Sequence, residues 1–390
     1  MNLAAPYVEA ETPLASIEGH DREPRERRDS PRPTSRHIVA SVAMMSIGFV
    51  LTAAIVHLSI RNPLRLYAEI RSEKLAILDQ WRGRESSAAF GSSHVDDGFD
   101  PRAFDAELRG TAAETTTLNL GISGGSQTEQ AVVAKKFIDS LPDPGKDSQA
   151  RFVLLEITAG ANFTNDHLFH PRAINIYDLP IVRLAVDYSN PRKLGWRRAI
   201  GRSGFSLLAG LLHYTNVGML SSSIFSAPLN EELLASQTGD DRRGLTPNHL
   251  AAPGSPESRA DQQLFAAGGV PRPEPGEVLD GHYALLRYLA DAARRKHVQL
   301  VYFVAPRLDN LITYSVFPES IKGPLGPVLI LNEGQPALHP ELYRAGLWHD
   351  PTHLTEAGAA IFSKLLADDL KSKLQLTAAT PAPRSELAIR

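Results

Sequence analysis

The chain of 390 residues contains no cysteine. Disulfide bonds, thiolate zinc sites and cysteine nucleophiles are therefore excluded, and the composition suits a location outside the cytoplasm, where stray thiols are oxidised. The sequence also lacks a surplus of charge, because 41 lysine and arginine residues face 44 aspartate and glutamate residues, which gives a net charge of −3. Without a broad positive field, we expect no nucleic acid among its partners.

Charged side chains are missing altogether from residues 38–60, which contain no aspartate, glutamate, lysine or arginine. These 23 residues are enough to cross a hydrocarbon core of about 30 Å as a helix. The run predicts one transmembrane helix, with a buried core helix and a cleaved signal peptide as the alternatives. Residues 1–37 are rich in proline, arginine and acidic residues, so we expect them to be disordered.

The basic residues on either side of this run predict its orientation. Six arginines lie between residues 22 and 36, whereas four basic residues lie between 61 and 74. Basic residues favour the cytoplasmic side of a membrane. We therefore expect a single-pass protein of the cytoplasmic (inner) membrane, with residues 1–37 in the cytoplasm and the body of the chain outside it.

Short apolar runs alternate with helical patterns between residues 85 and 375. RFVLLEIT at 151–158 and VQLVYFVAP at 298–306 are typical of buried strands, and residues 280–297 have an amphipathic helical period. Strands that alternate with helices predict an α/β fold. We expect three αβα layers around a mainly parallel, flavodoxin-like sheet, preceded by the one transmembrane helix.

Three segments flank or interrupt this alternation. Residues 61–84 have an amphipathic period and predict a juxtamembrane helix or linker. Residues 163–279 include a run rich in glycine, proline and serine and fit the alternation poorly, so they predict an insertion over the active face. Residues 376–390 predict a disordered tail.

Polar or glycine-rich segments follow predicted strands at three places, and a fourth opens the last helix. In chain order they are Phe90–His94, Asn119–Gly125, Gly160–Asn162 and Asp350–Leu354. Parallel strands end at the same edge of a sheet, where open α/β folds place their sites. We therefore expect the four segments to converge.

The residue types in these segments suit acyl transfer through a serine. A serine hydroxyl needs a neighbouring base, which His353 can supply, and Asp350 is close enough in sequence to orient that imidazole. The backbone N–H groups of Ser93 and Gly124, with the side-chain amide of Asn162, would donate to the oxyanion of a tetrahedral intermediate. Taken singly, each of these residues is also common in caps and turns.

In this order of segments the chain resembles the SGNH (GDSL-like) hydrolase superfamily. That family carries a serine in a Gly-Asp-Ser turn, then a glycine, an asparagine in Gly-x-Asn-Asp, and a terminal Asp-x-x-His. The resemblance covers roughly residues 85–375, and its most specific piece is the terminal block around His353. It implies Ser93 as nucleophile, His353 as base, Asp350 as its orienting carboxylate, and Gly124 and Asn162 as oxyanion donors.

Two residues depart from the family pattern. Ser92 stands where the first motif has aspartate, and Phe163 stands where aspartate follows the asparagine of the third. Neither lost carboxylate belongs to the triad. A Gly-Ser-Ser turn behind a membrane span is similar to membrane-anchored bacterial members linked to acylation and deacylation of cell-surface polysaccharides.

The sequence therefore predicts a serine-dependent O-acyl esterase or acyltransferase that acts outside the cytoplasmic membrane on an acylated small molecule or a cell-surface glycan. One alternative is a catalytically inactive membrane protein that binds a glycan or another partner. A second is an α/β-hydrolase, because Gly121–Gly125 matches the G-x-S-x-G elbow with Ser123 as nucleophile. A third is an esterase directed at lipids. We expect no metal and no cofactor.

Overall fold

The computed structural model describes ten parts of the chain. They are residues 35–59, 70–145, 149–157, 174, 176–188, 195–215, 242–247, 272–308, 313–344 and 346–379.

Nine α-helices and eight strands are labelled here within these residues. The helices are α1 (Ser35–Ser59), α2 (Ile70–Trp81), α3 (Ser93–Asp96), α4 (Pro101–Leu108), α5 (Gln127–Ser140), α6 (Leu179–Tyr188), α7 (Trp196–Thr215), α8 (Asp280–Lys296) and α9 (Glu356–Ala379). The strands are β1 (Ser87–Phe90), β2 (Thr117–Asn119), β3 (Phe152–Glu156), β4 (Arg272–Pro275), β5 (Gln299–Phe303), β6 (Thr313–Val316), β7 (Ser320–Gly323) and β8 (Gly326–Leu331).

Six of these strands form one sheet in the order β2-β1-β3-β5-β8-β7. All neighbours are parallel except β7, which runs antiparallel to β8 at the edge. The prediction of an α/β fold with a mainly parallel sheet is confirmed. The five parallel strands follow the doubly wound order 2-1-3-4-5, in which the connections diverge on either side of β1 and β3 and leave a crevice at their carboxyl ends.

Helices cover both faces of the sheet, because its central strands are apolar on both sides. Along β3, Val153 and Leu155 pack toward α5 and α8, whereas Phe152 and Leu154 pack toward α4 and α9. Successive side chains of a strand point to opposite faces, so the uninterrupted apolar run is what a sheet between two helical layers requires. The central strands are thereby fixed, and with them the loops at their ends.

The N-terminal helix α1 is the apolar element that the sequence predicted at residues 38–60. Residues 35–55 of it are long and apolar enough to cross a membrane, by length and composition alone. It begins at Ser35, so residues 35–37, predicted as part of the disordered segment, are helical. The prediction was wrong there because helical hydrogen bonding does not stop where an apolar run ends. Residues 1–34 lie outside the described residues.

Two other predicted boundaries also differ from the structure. The juxtamembrane helix or linker predicted over residues 61–84 contains the helix α2, whose Ile77 and Leu78 are buried, so this helix is part of the folded body. At the other end α9 continues to Ala379, beyond the predicted boundary at residue 375. Between residue 359 and Pro381 the chain contains no glycine or proline that would end the helix. The remaining residues of that tail lie outside the described residues.

The predicted insertion, residues 163–279, is described in part. Its helices α6 and α7 form a small apolar cluster, in which Ile181 and Ala209 pack with Ala284 of α8. These two helices therefore extend the helical layer on one face of the sheet.

Candidate active site

The first site segment is a tight turn between β1 and the one-turn helix α3. Ser92 is the N-cap of α3, and its Oγ accepts a hydrogen bond from the N–H of His94 at 3.3 Å. A Cβ atom on Gly91 would lie 2.1 Å from Val95 Cγ2 and 2.5 Å from Glu156 Oε2, so only glycine fits there. The turn places Ser93 at the carboxyl end of β1.

Ser93 lies in a chain of hydrogen bonds with His353 and Asp350, the two residues that were predicted to act with it. Its Oγ is 2.8 Å from Nε2 of His353, and Nδ1 of His353 is 2.6 Å from Oδ2 of Asp350. An ionised carboxylate only accepts hydrogen bonds, so Nδ1 carries the proton and Nε2 presents its lone pair to the serine. This arrangement lets the imidazole remove the serine proton during nucleophilic attack.

The loop that carries His353 is held by its own backbone. An antiparallel bridge joins Trp348 to Leu354, and the N–H of His349 donates to the carbonyl of His353 at 2.9 Å. The indole of Trp348 is buried and donates to the carbonyl of Leu342 at 2.8 Å. The imidazole is thus presented from a closed loop just before α9.

Asp350 is tied to the same loop through both of its oxygens. Oδ1 accepts the N–H groups of Thr352 at 2.7 Å and of His353 at 2.9 Å, while Oδ2 accepts Nδ1 of His353. Burial raises the pKa of this carboxyl, but the hydrogen bonds from His353 and Thr352 outweigh burial and hold the pKa below its ordinary value. The group is therefore ionised over the range in which an imidazole acts as a base.

The structure describes two of the three predicted oxyanion donors. Gly124 lies in an exposed turn with a φ of 62°, and this turn is joined to the nucleophile turn by the bond from the N–H of Ile122 to the carbonyl of Gly91. The backbone N–H of Ser93 lies in the first turn of α3. Asn162 lies outside the described residues.

The second site segment also supports the helix that carries Ser93. The buried amide of Asn119 donates to the carbonyls of Val95 at 2.6 Å and Phe99 at 2.8 Å, and its Oδ1 accepts the N–H of Gly121. A Cβ on Gly121 would lie 2.4 Å from the backbone nitrogen of Asp96. Close packing of the two turns therefore requires glycine at this position.

Ser123, the nucleophile of the α/β-hydrolase alternative, faces a different group. Its Oγ donates to Oδ2 of Asp96 at 2.9 Å. The other oxygen of Asp96 accepts bonds from Lys74 Nζ and Thr246 Oγ1, both at 2.6 Å, so this buried carboxylate is already neutralised by a lysine. The imidazole of His353 contacts Ser93, so this arrangement favours Ser93 over Ser123 as the nucleophile.

Glu156 is a residue of the site that the sequence reasoning missed. It ends β3, its side chain is 3% exposed, and its Oε2 accepts the N–H of Ser92 at 2.6 Å. Its Oε1 accepts Oγ of Ser92 at 3.2 Å and lies 2.9 Å from Nδ1 of His94. The sequence signal that could have identified Glu156 is a lone carboxylate at the end of a buried apolar run, because a buried charge needs polar partners.

Comparison with protein-family models finds no matching family, and comparison with curated proteins finds no match. Among the described residues, no group of three or more histidine, aspartate or glutamate side chains is arranged to hold a metal ion.

Proposed function

We propose that the chain is a serine-dependent O-acyl esterase or acyltransferase with Ser93 as its nucleophile. The observation that carries this proposal is the continuous hydrogen-bonded chain from Ser93 Oγ through His353 to Asp350, with 2.8 Å and 2.6 Å between the bonded atoms. The three groups come from opposite ends of the sequence and meet at the carboxyl edge of the sheet, where folds of this strand order place their sites.

The reaction proceeds through an acyl-enzyme. Ser93 Oγ attacks the acyl carbonyl and gives its proton to Nε2 of His353, which then passes the proton to the leaving alcohol as the ester bond breaks. Asp350 stabilises the imidazolium that forms in between. The N–H groups of Ser93 and Gly124 and the amide of Asn162 are the proposed donors to the oxyanion.

The same fold and order of motifs support membership of the SGNH-like hydrolases as part of this proposal. The strand order 2-1-3 with the nucleophile after β1 and an Asp-x-x-His before the last helix suits that family. Ser92 takes the place of the family's aspartate, and Glu156 supplies a carboxylate to the same turn from the neighbouring strand.

We further propose that α1 anchors the protein in the cytoplasmic membrane, with the catalytic domain outside. The apolar window at Ser35–Ile55 and the excess of arginine before it support this arrangement. An acylated cell-surface glycan is the substrate that this location suggests.

Labelling with a fluorophosphonate tests the nucleophile. The full chain, purified in detergent, is compared with Ser93→Ala and with Ser123→Ala as the matched control. We expect labelling of the wild type and of Ser123→Ala, and none of Ser93→Ala. The opposite pattern would assign the reaction to Ser123. If wild type and Ser93→Ala are equally inert toward the probe and toward short acyl esters while glycan binding persists, the chain is a binding protein.

A further inference from the structure

A second pair of a histidine and a carboxylate lies beside the nucleophile. Nδ1 of His94 is 2.9 Å from Oε1 of Glu156, with side chains 15% and 3% exposed. The ring centroid of His94 is 5.7 Å from that of His353, the base of the proposed reaction. Two imidazoles therefore flank Ser93, and the mechanism above uses one of them.

The carboxylate decides which nitrogen of His94 is free for a ligand. Because an ionised carboxylate only accepts hydrogen bonds, the short contact with Glu156 places the proton of the imidazole on Nδ1. In that tautomer Nε2 carries the lone pair. Within the described parts of the chain, no residue forms a hydrogen bond with Nε2 of His94.

The surroundings of Glu156 hold the pair in place. The carboxylate also accepts both the N–H and the Oγ of Ser92, at 2.6 Å and 3.2 Å, so its orientation is fixed by the nucleophile turn itself. A purely structural anchor for that turn would need only the contacts to Ser92. The additional contact orients a partly exposed imidazole whose ring centroid lies 5.7 Å from that of His353.

We propose that Nε2 of His94 binds a second hydroxyl of the acyl acceptor, adjacent to the hydroxyl that attacks the acyl-enzyme. This inference rests on the proposed function and specifies its acceptor as a vicinal diol, the arrangement of hydroxyls in a sugar. His353 accepts a hydrogen bond from the attacking hydroxyl, and His94 accepts one from the adjacent hydroxyl.

The transfer step balances without another reactant. The attacking oxygen forms a bond to the acyl carbon and gives its proton to Nε2 of His353. The bond between that carbon and Ser93 Oγ breaks, and the proton passes from His353 to Ser93. The second hydroxyl keeps its proton and donates a hydrogen bond to His94, so His94 positions the acceptor and takes no proton.

Competition among three simple acceptors tests the assignment. The full chain in detergent is acylated with p-nitrophenyl acetate, and transfer to 1,2-propanediol is compared with transfer to 1-propanol and 1,3-propanediol by quantifying the acetate esters. One net hydrogen bond predicts a preference of about twofold to tenfold for the vicinal diol. His94→Asn retains an amide N–H to face Glu156 but removes Nε2, and we expect it to abolish the preference.

The ratio between acceptors separates this role from a structural one. All three acceptors draw on the same acyl-enzyme, so a general loss of activity in His94→Asn cancels from the ratios. A wild type that transfers without preferring the vicinal diol, or that transfers only to water, overturns the inference even if the variant does not fold. A preference that persists in His94→Asn also overturns it.

The same experiment separates the two proposals. Release of p-nitrophenol that requires Ser93 supports the proposed function, whatever the acceptor ratio turns out to be. If the wild type releases none, the proposed function fails and this inference fails with it.

Discussion

The carboxylate of Asp350 binds its neighbouring loop through one oxygen and the imidazole of His353 through the other. Asparagine at this position can keep the oxygen that accepts the backbone N–H groups. It replaces the other oxygen with an NH₂ group, which can donate a hydrogen bond to the imidazole and favours the wrong tautomer. We expect Asp350→Asn to lower kcat by ~10⁴-fold, as measured by hydrolysis of a short acyl ester.

The control for this variant is its thermal unfolding midpoint, which should stay close to that of the wild type because the loop bonds remain. Activity within tenfold of the wild type, in a folded variant, would show that Asp350 does not orient the base.

Gly91 gives a second test at the residue scale, because the turn after β1 has no room for a methyl group. A Cβ there would lie 2.1 Å from Val95 Cγ2 and 2.5 Å from Glu156 Oε2. We expect Gly91→Ala to lower the free energy of unfolding by about 1 to 3 kcal/mol through overpacking. Urea titration followed by circular dichroism measures the change.

Gly201 in the exposed part of α7 is the matched control, since no heavy atom lies within 4 Å of a Cβ built on it. Gly201→Ala should raise the free energy of unfolding by up to about 1 kcal/mol, because alanine is the better helix former. If both variants shift stability in the same direction, the turn has more room than these distances give it.

At the scale of elements, α2 is fixed to α3 by a buried ion pair. Lys74 Nζ and Asp96 Oδ1 are 2.6 Å apart, with side chains 0% and 3% exposed. Removing one partner leaves the other charge buried, so Lys74→Met should lower the free energy of unfolding by about 3 to 5 kcal/mol. Chemical denaturation of the full chain in detergent measures the loss.

Arg82, one residue beyond the end of α2, supplies the comparison. It pairs with Asp79, and both side chains are more than 60% exposed. Arg82→Met should change the stability by less than about 1 kcal/mol, because exposed pairs contribute little. Equal effects of the two substitutions would mean that Lys74 is solvated.

The elements that sequence reasoning predicted are those in which burial leaves a simple pattern. β3 and β5 lie in uninterrupted apolar runs because both of their faces are covered. The hairpin of β7 and β8 was missed because Pro324 and Pro327 interrupt its sequence, and prolines argue against strands. Pro324 lies in the turn, and Pro327 lies in the part of β8 that pairs with β7 alone. The helix α4 was also missed, although the sequence contains a signal for it: Asp100 caps the helix and Pro101 is its first residue.

At the scale of the whole molecule, the convergence of Ser93 and His353 could be predicted because parallel strands end at one edge of the sheet. The role of Glu156 could not be predicted, because it depends on the register of β3 against β1. Phe90 pairs with Leu155, which brings the next residue of β3 beside Gly91 and the nucleophile turn. A shift of one residue would turn that carboxylate to the other face of the sheet, and nothing in the local sequence sets the register.

The absence of cysteine makes the proposed orientation in the membrane directly testable, because any thiol introduced is the only one in the chain. Ala106 on α4 is exposed and similar in size to cysteine, and Ser16 precedes α1. In intact spheroplasts, a maleimide that cannot cross membranes should label Ala106→Cys and not Ser16→Cys, whereas lysis should expose both.

The reverse pattern would place the domain in the cytoplasm and contradict the orientation that the arginines predict. Labelling of neither variant before lysis would mean that α1 does not carry the domain across a membrane, and a substrate outside the cytoplasm would then be ruled out. Because the nucleophile and the base belong to the same folded body as Ala106, the side on which this thiol reacts is also the side on which the acyl group is transferred.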